Sequence, residues 1–459
     1  MRRILLLATL VALLAVPAPA RADVAPPGQP PGSNPQPGDE LTQVRMAAET
    51  VLIEVLADAP AGSLGRARVT ADFTMHNLGA QTETMAVRFP IAANSGFFNY
   101  PEILGLMVVV DGRNIPIRRT TGPDPVYGGE DVPWAEFDVT FPPGQDVQIR
   151  VTYLFEGTGE TPYIAFYYIL ATGAGWKDTI GSVDLILRLP YEASPHNVIF
   201  ETEIGWATTT PGGVLEGREI RWKFEGLEPT QADDLVVALV MPSVWQRVLT
   251  ERANVAANAN DGEAWGRLGK LYKETFLLRR GFREDAGGQE LYDLGVAAYE
   301  QAVILLPDDA LWHAGFAELL ATRGIYSADM GKDVTAELVY ALNEIHTALT
   351  LRPNDSTVRQ IADEILYYYL YDERFANSIE QTENGYDFLW LTATPTQMTS
   401  SVVADLTATL EPLAGVTPSA PKTQAPPAST PAAPAGAGRA PLCGAALLPL
   451  ALLFARRRR

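Results

Sequence analysis

The chain has 459 residues, 47% of them apolar, with 35 Lys+Arg against 55 Asp+Glu and a formal net charge of −20. That length predicts two or three domains with substantial cores, and the acidic balance disfavours nucleic acid and anionic lipid, which both repel such a surface. The single cysteine excludes an intrachain disulfide, so the domains must stand on hydrophobic cores alone.

In chain order, Met1-Arg2-Arg3 precede an apolar run from Ile4 to Val16 and then Pro17-Ala18-Pro19-Ala20-Arg21-Ala22. A basic start, a short apolar run and an A-x-A site predict an export signal over 1–22, cleaved after Ala22. Residues 23–43 hold proline and glycine too densely to build a core, as in Pro26-Pro27-Gly28 and Pro30-Pro31-Gly32, and form a flexible leader. From 44 to 245 the pattern has period two. Val69, Ala71, Phe73 and Met75 alternate with polar residues, as do Val147, Ile149, Val151, Tyr153 and Phe155, and Ile220, Trp222 and Phe224. Each run buries one face, as antiparallel strands do. Turn signals lie between the runs, among them Asp111-Gly112, Pro142-Pro143-Gly144 and Pro211-Gly212-Gly213. Two stretches, Leu106 to Val110 and Leu235 to Val240, are apolar throughout and are expected to be central strands covered on both sides. The count of about ten strands predicts an all-β sandwich.

Within this region, Thr172-Gly173-Ala174-Gly175-Trp176 and the later Leu227-x-Pro229-x-x-x-Asp233-Asp234-Leu235 resemble a family of exported bacterial β-rich domains of unknown function. The resemblance covers about 200 residues. It implies an extracellular all-β module and assigns no catalytic residues.

From 246 to 375 the period becomes helical. Trp265-Gly266-Arg267-Leu268-Gly269-Lys270-Leu271-Tyr272 resembles the tetratricopeptide opening W-x₂-L-G-x₂-Y at every defined position. Gly295, Tyr299, Ala302 and Pro307 follow at the repeat's closing positions. A second unit starts near Trp312, with Gly315 and Phe316 standing where leucine and glycine belong, and closes with Ala341, Ile345, Ala348 and Pro353. Extra loops are expected over Arg279-Arg280-Gly281 and Asp285 to Gly288, and from Gly324 to Asp333, and Ser356 to Tyr371 is expected to cap the stack. The resemblance implies a concave groove lined by opening helices, in which Lys270, Lys273 and His313 are the candidate contacts; a solvated helix face is the plainer account of the two lysines.

Residues 376–411 carry no clear period. Residues 412–441 are almost wholly Pro, Ala, Ser, Thr and Gly, a composition that cannot bury a core. They form a stalk reaching at most roughly 90 Å. Over 442–459, Cys443-Gly444, an apolar run and Arg456 to Arg459 resemble the C-terminal sorting signals of prokaryotic surface proteins. That resemblance implies cleavage or lipidation at Cys443 and Gly444, with the arginines on the cytoplasmic side.

Chemistry leaves little trace. The four histidines form no H-E-x-x-H, and there is no G-x-S-x-G and no phosphate loop. No cofactor or metal is expected. Asp233-Asp234 and Asp308-Asp309 are expected in caps or turns, and Tyr367-Tyr368-Tyr369 in helix packing. The expectation is therefore a multidomain chain, an all-β sandwich followed by an all-α tetratricopeptide-like helical domain. It is exported, anchored at the cell surface through its C-terminal membrane signal, and binds a protein or peptide without catalysis. Two alternatives remain: glycan binding through exposed Trp134, Trp176 or Trp206, and a hydrolase using scattered carboxylates, which a close acid pair in a cleft of the sandwich would support.

Overall fold

The structure, a computed structural model, describes residues 36–37, 42–92, 102–124, 131–200, 207–279, 285–329, 333–375, 378–383 and 385–389. The export signal with Ala22, the stalk, and the tail with Cys443 and Gly444 lie outside these residues. The period-two runs fold as strands. In chain order they are β1 (Gln36–Pro37), β2 (Val44–Val55), β3 (Arg66–Asn77), β4 (Glu83–Pro90) and β5 (Leu104–Val110). Next come β6 (Arg113–Asn114), β7 (Arg118–Pro123), β8 (Asp131–Phe141), β9 (Asp146–Glu156) and β10 (Thr158–Glu160). The β-rich region ends with β11 (Tyr163–Tyr168), β12 (Ile180–Arg188), β13 (Val214–Glu216), β14 (Glu219–Leu227) and β15 (Leu235–Val240).

An eight-stranded sheet has the order β13-β14-β12-β2-β3-β9-β5-β6, a four-stranded sheet the order β1-β4-β8-β7, and a third the order β10-β11-β15. Alternation places Val69, Ala71 and Phe73 of β3 and Val87 and Phe89 of β4 in one hydrophobic cluster with Phe137 and Phe141 of β8. The other rows carry ion pairs such as Arg66–Glu156 at 2.7 Å and Arg188–Glu219 at 2.7 Å. Half-exposed pairs of this kind stabilise little; they keep the outer faces wet.

Two expectations change here. The strands are not all antiparallel, because β2 and β12 pair in parallel, Val51 opposite Leu185. And Leu106 to Val110 is not a central strand: β5 lies beside the edge strand β6, and Met107 is 55% exposed. Leu235 to Val240 is not central either, since β15 ends the order β10-β11-β15, but it lies covered, all but one of its side chains buried.

Six helices follow in the described residues: α1 (Pro242–Ala257), α2 (Gly262–Arg279), α3 (Ala286–Leu305), α4 (Ala310–Asp329), α5 (Thr335–Leu351) and α6 (Ser356–Tyr371). Three of them, α2, α4 and α6, open in the same way. The carboxylates of Asp261, Asp309 and Asp355 accept from the amides three residues on, Ala264 at 2.9 Å, Trp312 at 3.3 Å and Val358 at 3.1 Å. The backbone carbonyls of the same aspartates accept from Trp265, His313 and Arg359. These caps satisfy first-turn amides that have no partner within the helix.

The β-rich region and the first helices share one core. Val244, Trp245 and Val248 of α1, Leu268 and Leu271 of α2, and Leu291 and Ala298 of α3 belong to the strands' cluster. The Tyr163 hydroxyl donates to the Thr275 carbonyl at 2.5 Å. The boundary expected at 245/246 falls inside α1. The loop expected at Asp285 to Gly288 is instead the start of α3: Asp285 caps it, accepting from the Gly288 amide at 2.6 Å. Gly287 lies so close to the β-rich region that a Cβ there would sit 2.2 Å from the Pro195 carbonyl oxygen. Gly324 is likewise helical, within α4. A second cluster joins α3 to α6 with the hairpin of β16 (Ile379–Thr382) and β17 (Gly385–Phe388).

Candidate functional site

The caps fix which residues of α2, α4 and α6 are equivalent. Counting from the aspartates, Trp265 corresponds to His313 and Arg359, so Trp312 is one residue out of the register expected from sequence. Lys270 then corresponds to Glu318 and Glu364. Lys270 and Glu364, with Tyr367 further along α6, are exposed, whereas Glu318 is partly buried. The Lys270 side chain is 56% exposed and lies 3.8 Å from Glu274. On α6 the Gln360 amide donates to Glu364 at 3.1 Å, and Tyr367 and Tyr371, 64% and 74% exposed, hold their rings 4.8 Å apart.

Of the three groove candidates, only Lys270 offers an open charge. Lys273 is buried and ion-paired with Glu318, tying α2 to α4. His313 is also buried. Its Nδ1 lies 2.5 Å from Glu344 of α5 and its Nε2 lies 3.0 Å from the Pro307 carbonyl. Both neighbours accept hydrogen bonds, so the imidazolium satisfies both. Burial pulls the ring's pKa down, but the bond to Glu344 and its charge outweigh it and leave the value raised. Glu300 of α3 belongs to the same cluster. Its Oε1 is buried without a hydrogen-bond partner, and burial, followed by the charge of Glu344, pushes its carboxyl up to about 7.

In the β-rich region a bulge between Met46 and Ala48 shifts the alternation of β2, so that Glu49 shares the inward row with Val51, Ile53 and Val55. Glu49 accepts from the Tyr168 hydroxyl at 3.0 Å. Burial, helped by the Glu49 charge, raises Tyr153 and Tyr168 well above ordinary tyrosine values. The two sequence motifs of this region meet in space. Asp234 accepts from the Leu170 and Ala171 amides at 2.8 and 3.0 Å, at the start of the 3₁₀ turn that holds Thr172 to Gly175. Thr230 and Asp233 cap the preceding turn reciprocally. Burial raises Asp234 to about 6 against its two amide bonds. These motifs thus fasten one segment to another.

Two of the tryptophans expected to be exposed are not. Trp134 is buried and donates to the Pro123 carbonyl at 3.1 Å, and Trp176 is buried edge-on to Phe141 with centroids 5.9 Å apart. A side chain used in this way has no open ring face for a sugar. Trp206 lies outside the described residues. Among the described residues no group of three or more His, Cys, Asp and Glu side chains is arranged to hold a metal ion, and no helix is long and apolar enough to cross a membrane.

No family model matches the chain, and no curated relative matches it. Among solved structures, a candidate nutrient-binding protein of Legionella pneumophila is similar at 21% identity and a TM-score of 0.40, over 57% of this chain and 88% of that one. An M1 zinc metallopeptidase of Deinococcus radiodurans is similar at 9% identity and a TM-score of 0.26, over 44% and 45%. Overlaps this loose identify neither fold nor activity.

Proposed function

We propose that the chain is a non-catalytic binding or scaffolding protein of the cell exterior. On this reading the β-rich region is a sandwich, and α2 to α6 are tetratricopeptide-like repeats whose opening helices recognise a protein segment. Signals at the two ends, cleaved after Ala22 and processed at Cys443-Gly444, deliver and anchor it. The observation that carries the reading is the common register of α2, α4 and α6. On α2 and α6 that register presents Lys270, Glu364 and Tyr367 to solvent, while Glu318, its member on α4, pairs with Lys273. Repeats that bury one face against a neighbour leave such a row free for a ligand.

Deleting the helices would expose the core they share with the strands, so surface substitutions are the proper test. The triple variant Lys270→Glu, Glu364→Lys, Tyr367→Ser alters the row and nothing in the core. Affinity capture from envelope extracts with the wild type is expected to recover a partner that the variant loses, at an unchanged melting temperature. Equal recovery by both proteins would refute the reading.

A further inference from the structure

Beyond the row on the opening helices, a cleft of about 330 Å³ lies between the C-terminal part of α5, the N-terminal part of α6 and β17. Its volume falls at the lower end of the range for ligand pockets. His346, Leu349 and Thr350 line it from α5, Arg359 and Asp363 from α6, and the whole of β17 from the hairpin, with nothing from β16. The cleft therefore runs along the side of β17 that faces away from its partner strand.

Among the described residues that side is an open edge. The Leu389 amide donates to the Ser378 carbonyl at 2.9 Å, and Phe388 pairs with Ile379 and Tyr386 with Gln381. Bonded and non-bonded pairs alternate in an antiparallel ladder, so the N–H and C=O groups of Tyr386 and Phe388 point away from β16, towards the cleft. Both side chains hold the hairpin onto the helices. The Tyr386 hydroxyl donates to Asp363 at 2.9 Å, and Phe388 packs on the His346 ring at 4.6 Å. Arg359 is oriented by its Nε bond to the Pro353 carbonyl at 2.6 Å and forms no ion pair among the described residues. A two-stranded hairpin is marginal by itself, and an open edge between a helix and a strand accepts an extended chain.

We propose that this cleft binds an extended peptide as a third strand on β17, with a carboxylate of the peptide held by Arg359. The peptide's backbone meets Tyr386 and Phe388 at every second residue, and an apolar side chain rests on Leu349. This site is separate from the row on the opening helices and stands whether or not that row binds a partner.

The test is selection from a random decapeptide library displayed with free C-termini, using the full chain. Peptides binding more tightly than 100 µM are expected, and each is then synthesised. N-methylation at every second residue should weaken binding at least tenfold, while methylation at the residues between should not. Thr350→Trp, which fills the cleft from the exposed side of α5, should also weaken it at least tenfold. Amidating the peptide's C-terminus, or replacing its acidic side chains, shows which carboxylate Arg359 holds, and the affected peptide should lose its sensitivity to Arg359→Gln. The Lys270, Glu364 and Tyr367 triple variant should bind as the wild type does. Selection of no peptide, equal tolerance of N-methylation at all positions, or full binding by Thr350→Trp would overturn the proposal. So would slow hydrogen exchange of the Tyr386 and Phe388 amides in the free full-length chain, because the edge would then be occupied from within.

Discussion

Replacing Glu300 by glutamine perturbs the buried cluster of α3, α4 and α5 while keeping its shape. Glu300 is 8% exposed, and its Oε1 has no hydrogen-bond partner. Burial, with the Glu344 charge second, moves the carboxyl from its ordinary 4.5 to about 7. The folded chain thus keeps a proton that the unfolded chain releases near the ordinary value. Between the two values the native state binds more protons, so stability falls as pH rises, and the loss is complete above about 7. A displacement of that size corresponds to about 3 kcal/mol as an upper bound. Glutamine has no proton to lose. Glu300→Gln is therefore expected to exceed the wild type by about 1–3 kcal/mol at pH 8, and to match it or fall slightly below at pH 5. His313, raised by Glu344, adds a decline of the same sign in both proteins, present below its ordinary value of 6.5 and lost as pH rises through its folded value. The difference between the two proteins therefore isolates Glu300 from the many exposed carboxylates. Urea unfolding followed by far-ultraviolet circular dichroism at both pH values measures it. A variant that is less stable by the same amount at pH 5 and pH 8 would refute the reasoning, since Glu300 would then be ionised and hydrogen-bonded in the fold.

Further substitutions test other parts of the structure, each read by chemical denaturation. Asp234→Ala removes the carboxylate to which the Leu170 and Ala171 amides donate, and is expected to cost about 1–3 kcal/mol. Gly266→Ala would bring a Cβ within 2.3 Å of the Trp312 ring, so overpacking of about 1–3 kcal/mol is expected; a neutral result would mean that the ring can move aside. Lys273→Ala leaves Glu318 facing α2 without its cation and is expected to cost about 1–3 kcal/mol. Lys270→Ala, removing only a loose exposed pair, should change stability by less than about 0.5 kcal/mol. Equal costs for the two lysines would contradict the assignment of one to the interior and the other to the surface.

Much of the architecture was legible locally. The period-two rows of β3 and β9 and the change of period near α1 mark elements whose two faces meet different surroundings, and that contrast is written along each element. The caps Asp309 and Asp355 follow Pro307 and Pro353 at a fixed distance, so the helix starts were readable as well. The register of the second unit was not. Trp312 imitates Trp265, and only the hydrogen bonds that Asp309 accepts show that His313 holds the equivalent place, which turns it towards Glu344 instead of a groove. Glu49 gave no signal either, because a bulge that leaves composition unchanged decides which way a strand's side chains point.

Taken alone, the order of residues determined the kinds of element, their rough limits, the acidic surface and the low-complexity stretch after them, since each depends on neighbours within a few turns or a single strand. Tertiary structure decided the parallel pairing of β2 with β12, the meeting of Asp234 with Leu170, the single core running from strands into α1, α2 and α3, and the burial of Lys273, His313, Trp134 and Trp176. These depend on contacts between residues far apart in the chain. Whether a charged or aromatic side chain faces water or a partner is settled only when those distant surfaces close on it.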